Sequence, residues 1–97
     1  MALREDLEWA QDAVSELVTV DLTTNERDAL ISLVYNVGAT KFENSKALKH
    51  LNEGDKENFL IEAFSEKKGF TKAGGKRIQG LINRRANEQK LFLEKEA

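Results

Sequence analysis

Between Asp28 and Gly38 the chain reads Asp28-Ala29-Leu30-Ile31-Ser32-Leu33-Val34-Tyr35-Asn36-Val37-Gly38, its most apolar run. Wound as a helix, the bulky side chains cover most of the circumference, and a helix that is apolar nearly all round is buried on most sides. Thr23 and Glu26 stand just before the run at the spacing of a capping box, which defines a start. Gly38 can take the left-handed conformation that closes a helix, which defines a stop. These signals predict a central helix over residues 24–37. The fold expected around it is all-α, a compact bundle of about five helices.

The first of those helices is predicted over residues 2–18, where Leu3, Leu7, Ala10, Val14, Leu17 and Val18 recur at three- and four-residue steps. Trp9 lies off that stripe, free to reach a second surface. Val18-Thr19-Val20-Asp21-Leu22-Thr23 reads as a linking extended segment, with no second strand to pair with it. Beyond Gly38 a connection carries Phe42, expected to plug the core. Asn44 or Ser45 caps a short helix through Glu53 that turns Ala47, Leu48 and Leu51 inward. Gly54 ends it, and Asp55 caps a helix to about Glu66 whose inner face is Phe59, Leu60, Ala63 and Phe64. Three glycines and four lysines between Lys67 and Lys76 read as an exposed, mobile loop. A final helix over roughly residues 76–94 presents Ile78, Leu81, Ile82, Phe92 and Leu93, a face interrupted by Arg85 and Gln89.

Ninety-seven residues suffice for one domain and not two. The chain has no Cys, which removes disulfides, thiolate nucleophiles and Cys-based metal sites together. A lone His50 makes neither a zinc site nor a triad, so no metal, no cofactor and no role for His50 are expected. No apolar run is long enough to span a bilayer. The start, Met1-Ala2-Leu3-Arg4-Glu5-Asp6, has acids where a signal peptide needs a basic and then an apolar region. The net charge of -2 hides an asymmetry: residues 1–28 carry eight acids against two arginines, whereas residues 67–90 carry eight Lys or Arg against Glu88 alone. The basic end could face an anionic partner. Nucleic acid ranks last, because it rests on that local charge alone.

Three segments carry a family resemblance. The first is Ala29 to Gly38; the second is Phe42-Glu43-Asn44-Ser45 with Leu48 and Leu51-Asn52-Glu53-Gly54-Asp55. The third is Ala73-Gly74-Gly75-Lys76 leading into Gly80-Leu81-Ile82-Asn83-Arg84-Arg85 and Glu88. In order and spacing, apart from a small insertion before residue 73, they resemble the C-terminal helical lobe of phage-type lysozymes, the endolysins of glycoside hydrolase family 24. The resemblance covers nearly the whole chain and implies a single helical domain over residues 1–97, with residues 2–18 as the helix that joins the enzyme's two lobes. In the family the preceding lobe carries a Glu-Gly pair followed by spaced Tyr, Asp, Gly and Thr. The only Glu-Gly pair here is Glu53-Gly54, in a helix-to-helix turn with no Tyr after it. The family's Arg-Trp pair before the glycine-rich segment is replaced by Glu66-Lys67-Lys68-Gly69-Phe70, with Phe70 in the Trp position.

The expectation is therefore a non-catalytic helical lobe of an endolysin, a scaffold and wall-binding part that does not hydrolyse peptidoglycan alone. Glycoside cleavage needs two carboxyl groups flanking one bond, and the acids here fall on expected solvent faces. The alternative is a phage-derived, catalytically dead interaction or inhibitor protein that binds a host or phage protein. Its partner would cover the surface left by the other lobe, or a second copy would, with Trp9 and Phe70 as contacts. Synthesis in the host bacterial cytoplasm follows from the same resemblance.

No residue is assigned a catalytic role. By the resemblance Asn36 sits at the lip of the cleft, where an amide can bond substrate; otherwise it is a helix-end amide bonding backbone. Ser45 either faces the cleft or is a plain N-cap, and Tyr35 and Phe42 are expected in the core. Lys72, Lys76 and Arg77 could contact peptide carboxylates of the wall, against the bland reading of a soluble loop. Gly38 is structural, and Arg85, on an otherwise apolar face, is expected to pair with Glu88 or an acid of the first helix.

Overall fold

The computed structural model describes residues 3–94, with side chains described from Leu7 onward. The expected start at residue 2, the Leu3 step of the apolar stripe and the side chains of Arg4, Glu5 and Asp6 lie outside them. Helix α1 runs Leu3–Leu17, α2 Thr24–Val37, α3 Ala39–Glu43, α4 Lys46–Asn52 and α5 Lys56–Phe64. A two-residue hairpin, β1 Lys72–Ala73 and β2 Lys76–Arg77, precedes α6, Gln79–Leu93.

Helix α2 is the axis of the fold. Ala29, Leu30, Leu33 and Val34 are fully buried, with α1 packed on one side and α6 on another. Its start is a complete capping box: the Thr23 hydroxyl accepts from the Glu26 backbone N–H at 3.1 Å, and the Glu26 carboxylate accepts from the Thr23 N–H at 2.9 Å. Its end differs from the left-handed closure expected at Gly38. There φ is +95° with ψ at 148°, so the chain extends for one residue and restarts at once as α3. The segment after Gly38, expected as a connection, is thus a short helix, and it carries Phe42 into the core as expected, with no exposure.

Ser45 caps α4, accepting from the Leu48 N–H at 3.1 Å while its hydroxyl donates to the Phe42 carbonyl at 2.6 Å. Asp55 caps α5 through the Asn58 N–H at 3.1 Å. That helix ends at Phe64, before the expected Glu66, because Ser65 has turned to extended backbone. Phe59, Phe64 and Phe92 form the aromatic centre that joins α5 to α6. Phe59 lies 5.1 Å from Phe92 and meets the edge of Phe64 at 5.6 Å, between ring centroids.

Residues 67–76, expected as an exposed, mobile loop, are exposed from Lys72 to Lys76 and carry a small hairpin that the sequence reading lacked. Gly74 and Gly75 have φ of +60° and +82°, the two positive values that a two-residue hairpin turn requires. Lys72 pairs with Arg77 and Ala73 with Lys76 across it. The Ile78 N–H continues to the Thr71 carbonyl at 2.9 Å, so Lys76 and Arg77 belong to a strand and α6 begins only at Gln79. Ile78 and Leu93, expected on the inner face, are exposed at the two ends of that helix. Tyr35 is also a correction: it faces outward and meets the Trp9 ring at 5.9 Å. Finally, two acids leave the solvent faces expected of them. Glu26 and Glu88 are buried, each against a cation.

Candidate functional site

Four pieces of the chain converge on a pocket of about 330 Å³: the last turn of α2, α3, the hairpin with the residues before it, and the start of α6. Its lining is Asn36, Val37, Lys41, Phe70, Lys72, Ala73 and Leu81. Helix α2 delivers Asn36 because it stops at Gly38, and α3 exposes Lys41 because Phe42 next to it is sunk in the core. The Lys41 ammonium stands 5.9 Å from the centroid of the Phe70 ring, within the range of a cation–π contact.

The wall carrying Phe70 and Lys72 is fixed from behind. Gly69 lies so close to the end of α5 that a Cβ there would sit 2.5 Å from the Ser65 carbonyl oxygen and 2.7 Å from that of Ala63. The Phe70 N–H donates to the Ala63 carbonyl at 3.0 Å, and the buried Thr71 hydroxyl donates to the Glu66 carbonyl at 2.8 Å. Arg77 braces the same turn, with Nε donating to the Glu66 carbonyl at 3.0 Å and Nη2 to that of Lys67 at 3.3 Å.

The strongest brace is Arg85. Its side chain is fully buried; Nη1 donates to the Phe70 carbonyl at 3.1 Å, Nε lies 2.6 Å from Glu88 Oε1, and Nη2 donates to Oε2 at 3.2 Å. Glu88 also accepts from the Ser32 hydroxyl of α2 at 2.5 Å and has Arg84 Nε at 3.6 Å. Burial pulls the Arg85 guanidinium below the ordinary arginine range, and the Glu88 carboxylate restores only part of that. The pair ties α6, α2 and the Phe70 wall together.

A second hollow, about 530 Å³, opens between α1, α2 and α6 and is lined by Leu7, Gln11, Asp28, Ile31, Ser32, Tyr35 and Arg84. The exposed Trp9 sits at its border through its contact with Tyr35.

Two carboxylates outside both hollows, Glu26 and Asp55, are held below the ordinary range. At Glu26 burial pushes the pKa up, but hydrogen bonds from Lys56 and the Thr23 backbone, with the Lys56 charge 2.7 Å away, outweigh it and leave the group below 4.5. Asp55 is likewise lowered, first by the Asn58 side-chain hydrogen bond and then by that of the Asn58 backbone. His50 Nδ1 lies 3.8 Å from Asp55 and 3.9 Å from Glu53. Among the described residues no group of three His, Asp or Glu side chains could hold a metal ion.

The phage lysozyme family model matches residues 1–88. The chain belongs to the phage lysozyme family. It is 44% identical over 90 residues to the endolysin of Bacillus phage PZA, covering 93% of this chain and 33% of that protein. It is 41% identical over 91 residues to the endolysin of Salmonella phage P22, covering 94% of this chain and 59% of that protein. The chain thus spans between a third and three fifths of these relatives. A crystal structure of a P22 lysozyme mutant superposes with a TM-score of 0.82 at 40% identity, over 95% of this chain and 60% of that one. The muramidase domain of SpmX from Asticaccaulis excentricus gives 0.77 at 35% identity, over 96% and 63%. Among the described residues no helix is long and apolar enough to cross a membrane.

Within this lysozyme-family chain, Asn36, Phe70 and Lys72 meet in one pocket, whereas Ser45, Lys76 and Arg77 do not line it. Ser45 is committed to its cap and Arg77 to backbone carbonyls; Lys76 is exposed on β2. Lys41 was not singled out by sequence. Its signal lay in the four-residue step from Gly38 to the core-bound Phe42, too short to bury its neighbours as well.

Proposed function

We propose that this chain is the helical, wall-binding lobe of a phage lysozyme and that it does not cleave peptidoglycan unaided. One observation carries the reading: among the residues lining the Asn36 pocket there is no carboxylic acid. Glycosidases of this chemistry place two carboxyl groups about 5–9.5 Å apart across the scissile bond, one of them with a raised pKa. Here the buried Glu88 is neutralised by Arg85, and Glu26 is held low by Lys56. The pocket's lining suits binding instead: an amide, an aromatic face and two ammonium groups. Catalysis would need carboxylates on a facing lobe. The experiment is paired turbidity and pelleting with purified peptidoglycan. The protein is expected to sediment with the wall and leave its turbidity unchanged; clearing by the chain alone overturns the non-catalytic reading, and failure to sediment overturns the binding one.

A second reading has its own observation, the open groove of α1, α2 and α6 with Trp9 and Tyr35 beside it. A lysozyme-family lobe with that surface uncovered would serve as an interaction protein, with a host or phage protein or a second copy on the groove.

A further inference from the structure

The groove of α1, α2 and α6 has rims of opposite charge. Trp9 meets Tyr35 and Arg27 donates to the Ser15 hydroxyl, so α1 runs antiparallel to α2. Ser32 donates to Glu88 and Asn25 to the Glu94 carbonyl, so α6 is antiparallel to α2 as well. The groove thus lies between two parallel helices of 15 residues each, with α2 between them. The charges of α1 from Leu7 onward, Glu8, Asp12 and Glu16, are all acidic and all exposed. On α6 Arg85 and Glu88 are buried, which leaves Arg84 and Lys90 as its exposed charges, both basic. The centre of the face is apolar, with Ile31 and Tyr35 in the groove and the exposed Trp9 at its border. Because α2 stands between the two rims, they do not satisfy each other within one chain. They are complementary to the same rims on another copy.

We propose that a second copy of this chain covers the groove in a two-fold dimer, with α1 of each copy on α6 of the other. The proposal rests on the reading of the groove as a docking face and names its occupant. Charge fixes the direction of the axis. An axis across the helices would lay acidic α1 on acidic α1 and basic α6 on basic α6, which like-charge repulsion opposes. An axis along the helices lays acid on base at both rims and keeps the helix directions. The contacts with α2 then set the register: Glu8 and Arg84 both stand level with the Tyr35 end of α2, and Lys90 stands between the levels of Asp12 and Glu16. Each rim therefore matches its partner charge for charge, around a shared centre of Trp9, Tyr35 and Ile31 that leaves water. Asp28, on α2 close to that axis, is set against its own copy.

The test is sedimentation equilibrium of the whole chain over a concentration series, read beside the emission of Trp9, its only Trp. The parent is expected to approach twice the monomer mass while the emission shifts to the blue, and added salt should weaken the association. Glu8→Lys/Asp12→Lys/Glu16→Lys and Arg84→Glu/Lys90→Glu should each weaken self-association about tenfold or more, and an equimolar mixture of the two should regain the parent's mass. That recovery also shows that both variants fold. Asp28→Asn removes the like-charge approach at the axis and should tighten the dimer; association no tighter than the parent's overturns the assigned axis. Charge variants that dimerise like the parent overturn the proposal, as does a mixture that stays monomeric although circular dichroism shows both variants folded. A parent that is monomeric throughout overturns the second copy alone and leaves the groove to a different protein. A dimer that forms with no change in Trp9 emission and ignores the charge variants sinks the docking face itself, and the second reading with it.

Discussion

Arg85 and Glu88 show how one buried pair can organise a protein of this size. The guanidinium has no solvent access and is met by a carboxylate and a carbonyl; the carboxylate is met by two arginines and a serine. Removing one partner leaves the other charge buried. Arg85→Met is expected to destabilise the fold by about 3–5 kcal/mol in urea unfolding, with Arg84 holding the figure near the lower end. Arg85→Met/Glu88→Met should recover much of the loss, because the apolar pair has no charge to desolvate. Glu26 makes a prediction of a different kind. Its carboxylate titrates lower folded than unfolded, so its contribution is complete above its ordinary value of 4.5 and is lost as pH falls through the folded-state value. Glu26→Gln is expected to lower the melting temperature at neutral pH and to leave it nearly unchanged near pH 2. Equal losses at both would show that the side chain acts by packing. An arginine breaking an apolar face asks for a counter-charge, and Glu88 one turn on was readable as a candidate. The bonds from that pair to Ser32 and the Phe70 carbonyl were not, since they join residues distant in sequence.

The helices were legible in proportion to their caps. Thr23 with Glu26, Ser45 and Asp55 each mark a start that the backbone obeys, and the apolar circumference of residues 29–34 marks the helix that the others surround. Tyr35 shows the limit of that signal: an almost wholly apolar helix does not say which narrow arc is left to solvent. The hairpin was illegible for another reason. Strands of two residues have no alternation to read, and a Gly-Gly pair among lysines marks a tight reversal and a loose loop alike. Gly69 is the element-level test of this built segment. Gly69→Ala puts a methyl against the carbonyls of Ser65 and Ala63, and the overpacking should cost about 1–3 kcal/mol in denaturant unfolding. Gly80→Ala, with open space around its Cβ in α6, should be neutral or stabilising by up to about 1 kcal/mol. If the two variants are equally stable, Gly69 is not a packing constraint.

At the scale of the whole molecule the two hollows differ in kind. The smaller is cationic and enclosed by several short elements; the larger is a groove along three helices, with Asp28 and Arg84 on it and Trp9 with Tyr35 alongside. Such a face is suited to a protein surface. In light scattering the isolated chain is expected to gain apparent mass with concentration, and Trp9→Ser/Tyr35→Ser is expected to stay monomeric. A parent that stays monomeric throughout would remove self-association from the second reading.

The grip of Arg85 on the Phe70 backbone has a kinetic consequence. The same guanidinium is paired with Glu88, which accepts from Ser32 on α2, so the Phe70 wall and α2 are tied to each other through α6. Capture of a small anion beside Lys41 and Lys72 is then expected to be limited by diffusion and the pull of the lysines, which stopped-flow mixing at several salt concentrations checks. Added salt then slows arrival far more than it hastens departure.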